Sequence, residues 1–189
     1  MRIGNWKQHS GFATGAIQTG TVESIGVTMV RGFISYAHDD HAAFHEMRTQ
    51  LRAIERAFAI DFWADKRIEP GNYWSATIAA AIEAAKVHVL LLSPAFIGSD
   101  YIFDHELPAI NTKCAKGDMV LPVVIGRCAW SWIVGVLQAA PVDRTGRLLP
   151  VLEWKPHRNG YDAAREQIWS CMAAQFGTAP KPPFSWGKP

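Results

Sequence analysis

The sequence predicts an α/β domain, a three-layer sandwich in which helices cover both faces of a five-stranded, mostly parallel sheet. Three observations predict it. Val87-His88-Val89-Leu90-Leu91-Leu92 is a strand-length run with apolar residues at both odd and even positions, the pattern of a strand buried on both faces. Short runs of this kind alternate with helical patterns along the chain, and right-handed crossovers turn such alternation into a parallel sheet. The stretch Ser93 to Ile110, SPAFIGSDYIFDHELPAI, then passes through a turn into a helix starting near Ser99 or Asp100. That helix carries an acidic residue, Glu106. Ligands of such sheets bind outside the carboxyl ends of the strands, so Glu106 falls just past the edge where chemistry is found.

A chain of 189 residues buries a core easily and fits one domain with extensions. Its net charge of +2 is spread along the chain without a basic stripe, so nucleic acid is not an implied partner. No apolar run reaches membrane-spanning length, and the N-terminus lacks the apolar core of a signal peptide. Three widely spaced cysteines, Cys114, Cys128 and Cys171, form no CxxC and read as small apolar side chains in a reducing cytoplasm. Eight tryptophans are many for this length; near a cleft they would suit stacking on a flat ring.

Residues 1–28 hold scattered Gly, Thr, Ser and Gln and read as a leader, with one short strand near Thr21 to Val27. The domain spans 29–176, and 177–189, rich in proline, is a tail or the start of a linker. Arg31 to Tyr36 is the first strand. Asp39 or Asp40 can cap the next helix, where Phe44, Met47, Leu51, Ile54 and Phe58 recur at steps of three and four and give one apolar stripe. Ala59 to Trp63 is a short second strand. Ala64 to Tyr73 is a polar loop with the turn signal Pro70-Gly71, and Asn72 can cap an alanine-rich helix to Lys86. Strand three follows. Pro108 cannot sit in a straight helical interior, so the Glu106 helix kinks there and Pro108 opens a second segment toward Ala115. Met119 to Ile125 is strand four, which Pro122 places near an edge. Arg127 to Ala140 is a short irregular helix, Leu148 to Trp154 a fifth, edge strand, and Asn159 to Phe176 the last helix, with Tyr161, Ile168 and Met172 inward.

Three segments together resemble a known family. Phe33-Ile34-Ser35-Tyr36 followed by acidic residues resembles the first box of Toll/interleukin-1 receptor (TIR) domains. Asp65-Lys66-Arg67-Ile68-Glu69-Pro70-Gly71 before Tyr73-Trp74 resembles their second box, the BB loop. Leu91-Leu92-Ser93-Pro94, Ser99 and Glu106-Leu107 resemble the third strand and the helix after it. The resemblance covers roughly residues 30 to 176 and is nearest to bacterial members; it implies a flavodoxin-like TIR fold. It also implies two kinds of activity. Some TIR domains are non-catalytic adaptors that self-associate, here through contacts including loop 64–73. Others cleave NAD⁺ at the nicotinamide–ribose bond, giving nicotinamide and ADP-ribose or a cyclic ADP-ribose isomer, often in antiviral defence and on self-assembly. In the cleaving members a glutamate on the helix after strand three is essential, and Glu106 matches it. These members often carry an aromatic residue four positions earlier. Ile102 stands there in this chain, and Tyr101 beside it points about 100° away on a regular helix.

One carboxylate suffices for that reaction. Glycoside hydrolysis normally needs two because a neutral alcohol must be protonated as it leaves. Nicotinamide leaves NAD⁺ as a neutral molecule from a pyridinium, so no general acid is required. An ionised Glu106 in a partly desolvated cleft stabilises the oxocarbenium-like ribose and accepts a ribose hydroxyl; a nucleophile role for it stays open. Around it, Tyr36 and His38 end strand one, and Arg67, Glu69, Gly71 and Tyr73 match positions that line the nucleotide site in cleaving relatives. Arg67 suits a phosphate and Tyr73 a ring. NAD⁺ is then a substrate, and no cofactor is expected. His41 and His45 stand four apart, but no second motif supports them as metal ligands, and no metal is expected. Ser35 lacks a triad and reads as a turn residue. A phosphoacceptor receiver domain is set aside because Ser93-Pro94 stands where its aspartate would be, and a redox dinucleotide enzyme because no glycine-rich loop follows strand one. The expected setting is cytoplasmic, off the membrane, with a sensor domain or partner protein as trigger.

Overall fold

The alternation of apolar runs and helical stripes resolves into one parallel sheet, seen in a computed structural model that describes residues 29–64, 74–134 and 137–177. Its strands are β1 (Val30–Ser35), β2 (Ile60–Trp63), β3 (Val87–Leu92) and β4 (Met119–Val124), in the order β2-β1-β3-β4. All three pairings are parallel, with Gly32 opposite Phe62, Ser35 opposite Leu90, and Leu92 opposite Val124. The chain runs outward from β1 to β2 and then returns past β1 to β3. That reversal puts the topological switch point between β1 and β3.

Strand alternation sorts the core onto two faces. Ile34, Val89, Leu91 and Val123 join α1 (His41–Phe58) on one side. The four stripe residues Phe44, Met47, Leu51 and Ile54 are each at most 4% exposed there, worth about 1.5–3 kcal/mol apiece. The last helix, Arg158–Phe176, packs its Tyr161, Ala164, Ile168 and Met172 on the same face. Phe33, Leu90, Leu92 and Val124 point the other way, onto α2 (Trp74–Ala84) and the helix bearing Pro108. Gly32 has a packing reason: a Cβ there would stand 2.3 Å from a ring carbon of Phe62, its partner across the β1–β2 pairing.

After β3 come a single turn, α3 (Pro94–Ile97), a π-helical turn over Ile102–Glu106, and α4 (Leu107–Ala115) with Pro108 in its first turn. Pro108 therefore opens a segment, as its missing N–H requires. α2 ends at Ala84, short of Lys86, because the Lys86 N–H already donates to the Arg31 carbonyl at 2.8 Å. Neither Asp39 nor Asp40 caps α1 through its side chain. Asp40 instead accepts a hydrogen bond from the Ser93 hydroxyl across the switch point, while Ser93 Oγ accepts from the Phe96 N–H at 3.0 Å and caps α3.

The fifth strand expected over Leu148 to Trp154 does not form. Val151–Glu153 is a 3₁₀ turn, and Leu148 makes one antiparallel bridge to Val142. The place beside β4 is taken earlier, by Ala140, which donates to the Pro122 carbonyl at 2.9 Å and accepts from the Val124 N–H at 2.7 Å. Pro141 follows with no N–H to continue the ladder, and Pro150 interrupts the apolar run that reads as a strand. The sheet has four strands among the described residues. The irregular helix expected over Arg127 to Ala140 shrinks to α5, Ser131–Val134, and the last helix is α6.

A charged cluster, buried at Lys113, Asp118 and His88 with Lys86 on its exposed rim, ties the amino-terminal edge of the sheet. Lys113 of α4 reaches the Glu83 carbonyl at 2.7 Å and Asp118 at 3.2 Å, and Lys86 meets Asp118 at 3.1 Å. His88, fully buried, lies 4.0 Å from Asp118, and neither of its ring nitrogens has a hydrogen-bond partner. Burial pushes its pKa down to about 4, against the pull of Asp118. Burial also raises the proton affinity of Asp118, but hydrogen bonds and charge from Lys86 and Lys113 outweigh it and hold the carboxyl below its ordinary range. This cluster joins the starts of β3 and β4, away from the edge where ligands bind, and its role is structural.

Candidate functional site

At the opposite, carboxyl-terminal edge, β1 ends in Ser35, and the chain continues through Tyr36 and Ala37 into a 3₁₀ turn, His38–Asp40. Period two puts Ser35 on the same face as Phe33, the face that the π-helical turn covers. Glu106 closes that turn and is 6% exposed. The Ser35 hydroxyl donates to Glu106 Oε2 at 2.6 Å, and Ser35 is itself 1% exposed. A buried carboxylate is disfavoured as an ion unless it is hydrogen-bonded, and a bond of this length to a charged acceptor is a strong one.

Glu106 forms part of the wall of a cavity of about 120 Å³. Its other described walls come from four elements: Phe33, Ile34 and Tyr36 to His38 from β1 and its exit, Trp63 from β2, Ile78 from α2, and Ser99, Tyr101 and Ile102 from the segment after α3. Aromatic rings brace the lining. Trp63 stacks on Phe33 with ring centres 5.6 Å apart and planes 13° apart, and Tyr36 stacks on Phe44 at 4.2 Å and 9°. Among the described residues the site is thus a small aromatic recess with one carboxylate, that of Glu106, set in its wall.

The structure brings Tyr36, His38, Ile102 and Glu106 together around this cavity. Arg67, Glu69, Gly71 and Tyr73, with most of loop 64–73, lie outside the described residues, as do 1–28 and 178–189. Two expectations change. Ser35 is no turn residue: it ends a strand and bonds the carboxylate. Tyr101 does not point away from the site. The Leu107 N–H donates to the Ile102 carbonyl, five residues back. That wider turn swings Tyr101 onto the cavity beside Glu106, five residues on. Trp63 was not anticipated; its signal is a large aromatic at the carboxyl end of a strand next to β1.

Electrostatics near the edge are mixed. Burial pushes the Asp40 carboxyl up, with Asp39 adding to it, while the bond from Ser93 works against both. His41 and His45 lie with ring centres 4.3 Å apart, edge to face, but no group of three or more metal-binding side chains converges among the described residues. No helix among those residues is long and apolar enough to cross a membrane.

Comparison with known proteins gives two findings. The family profile described as TIR domain matches residues 33–167, a span that runs from β1 into α6 and contains the whole described site. The chain is also 28% identical over 153 residues to an uncharacterized protein, y4lF, of Sinorhizobium fredii (strain NBRC 101917 / NGR234). The match takes in 80% of this chain but 46% of that relative, so the chain spans about half of the relative's length.

Proposed function

The chain belongs to the TIR domain family, and from that premise we propose that it cleaves NAD⁺ at the nicotinamide–ribose bond. The products are nicotinamide and ADP-ribose or a cyclic ADP-ribose isomer. The observation that carries this reading is the buried Glu106 carboxylate in the wall of an aromatic recess at the ligand-binding edge of the sheet. A recess of about 120 Å³ suits one ring and its glycosidic carbon, not a whole dinucleotide. The ring sits among Tyr36, Trp63 and Tyr101. Arg67, Glu69, Gly71 and Tyr73, which match nucleotide-lining positions of cleaving TIR domains, are the residues we assign to the remainder of NAD⁺.

As the C–N bond breaks, its electron pair goes to the pyridinium nitrogen, and nicotinamide departs neutral. Positive charge collects on the ribose, beside Glu106. A fixed carboxylate in a site of low polarity stabilises that charge far more than water does. In hydrolysis, water adds to the ribose carbon and loses a proton; in cyclisation, a nucleophilic atom elsewhere in the same molecule adds instead. NAD⁺ is a substrate, and no resident cofactor takes part. The setting we assign is bacterial immune signalling in the cytoplasm, with TIR–TIR self-assembly raising activity and a sensor domain or partner supplying the trigger.

The test is NAD⁺ loss in the presence of the purified chain, with products separated by chromatography. Loss that disappears in Glu106→Ala supports the reading, and unchanged turnover removes Glu106 from the mechanism. A second reading, a non-catalytic association module, draws on a different observation. Trp132 is 59% exposed and, with Phe103, Leu107 and Ile133, borders an apolar groove beside α4. Association that depends on Trp132, without NAD⁺ loss at any concentration, favours it.

A further inference from the structure

We propose that Ser35 is the positioning residue for Glu106: its hydroxyl fixes the orientation of the carboxylate in the cavity wall and keeps it ionised there. The proposal rests on the reading of Glu106 as the working carboxylate and adds a second residue to it, one that touches no substrate.

Three observations carry it. First, the bond is short, 2.6 Å from Ser35 Oγ to Glu106 Oε2, and both side chains are more than nine-tenths buried. Second, the donor is held by the sheet. Ser35 closes β1 opposite Leu90 of β3, and the next residues, Tyr36 to His38, line the same cavity. Third, the acceptor sits at the end of the π-helical turn, where Leu107 bonds back to Ile102 and not to Phe103. A carboxylate on an irregular turn needs an external tether if its direction is to be fixed, and Ser35 is one, 71 residues away in sequence.

The physical consequence is twofold. Burial favours the protonated acid, and a hydroxyl donor favours the anion. Removing the hydroxyl should raise the proton affinity of Glu106 by about one to two pH units, the range expected for a hydrogen bond to a charged group. It should also let the carboxylate turn, which lowers the rate of the chemical step more than it weakens substrate binding.

The test is the titration of Glu106 itself, read by ¹³C NMR on glutamate-labelled protein, with the resonance assigned through Glu106→Gln. Wild type, Ser35→Ala and Ser35→Thr are compared, alongside the pH profile of NAD⁺ cleavage. The expected result is a Glu106 titration displaced upward in Ser35→Ala and restored toward wild type in Ser35→Thr, which keeps the hydroxyl. The acid limb of the activity profile moves with it, and kcat falls while KM for NAD⁺ holds. Ser35→Cys, nearly isosteric with a weak donor, shifts the titration part-way and serves if the alanine variant does not fold. A Glu106 titration that superimposes on wild type in these variants overturns the proposal. The two readings fail separately. If wild type cleaves no NAD⁺ but the titration moves, the nucleosidase reading falls and the Ser35 role stands. If cleavage depends on Glu106 but neither titration nor acid limb moves, the Ser35 role falls and the nucleosidase reading stands.

Discussion

His88→Leu should remove a large part of the protein's acid lability. His88, the second residue of β3, is fully buried and has no hydrogen-bond partner on either ring nitrogen. Burial holds its folded pKa at about 4, against 6.5 for an ordinary histidine. Between those values the unfolded chain binds a proton that the folded chain does not. Stability is therefore full above pH 6.5 and falls as the pH drops toward 4, with no further loss from this group below that. From pH 7 to pH 5 the loss from His88 alone comes to about 2 kcal/mol, at 1.36 kcal/mol per unit of pKa difference. Other titrating groups, Asp40 among them, are present in both proteins and cancel in the comparison. The assay is urea unfolding followed by tryptophan fluorescence at pH 7 and pH 5. His88→Leu should lose about 2 kcal/mol less than wild type between the two pH values. At pH 7 it should be no less stable, since it replaces an unpartnered buried polar ring with an apolar side chain. Equal losses in the two proteins would refute the claim that His88 is held neutral by burial.

Three further outcomes follow from the packing and the site. Gly32→Ala forces its new methyl into the Phe62 ring and should cost about 1–3 kcal/mol in urea unfolding, the usual range for overpacking. Lys113→Met leaves Asp118, a side chain 6% exposed, with only Lys86 for a cation, and should cost about 3 kcal/mol at pH 7, the lower end of what breaking a buried pair costs. Tyr101→Ala should lower kcat/KM for NAD⁺ by roughly 3- to 10-fold while Tyr101→Phe retains most of it, since the ring and not the hydroxyl is the proposed contact; equal losses in the two variants would contradict that assignment.

Much of the fold is legible because its signals are local. The α1 stripe needs only the 3.6-residue period, and four of its five residues are the buried ones. Pro108 marks a helix opening through its missing N–H alone. Contacts between distant segments leave a fainter trace. Ser35 is a polar residue inside the apolar run Phe33-Ile34-Ser35-Tyr36, and strand alternation puts it on the Phe33 face. The missing step is that the helix after β3 crosses that face with Glu106 at the right height, which depends on the sheet order. Tyr101 is misjudged on a regular helix because a π turn has no sequence period of its own. The fifth strand fails where two segments compete for one edge: Leu148 to Trp154 has the composition, but Ala140 reaches β4 first and Pro141 stops it there.

The central claim is that Glu106, in its aromatic recess, acts on NAD⁺. NAD⁺ consumption by the purified chain over a concentration series, with Glu106→Ala beside it at each step, tests that most directly. The account predicts loss of NAD⁺ that rises with concentration as the chain assembles, release of nicotinamide in equal amount, and no loss in the variant. Turnover that persists in Glu106→Ala would contradict it, as would the absence of turnover even when the chain is forced to assemble by fusion to an oligomerising domain.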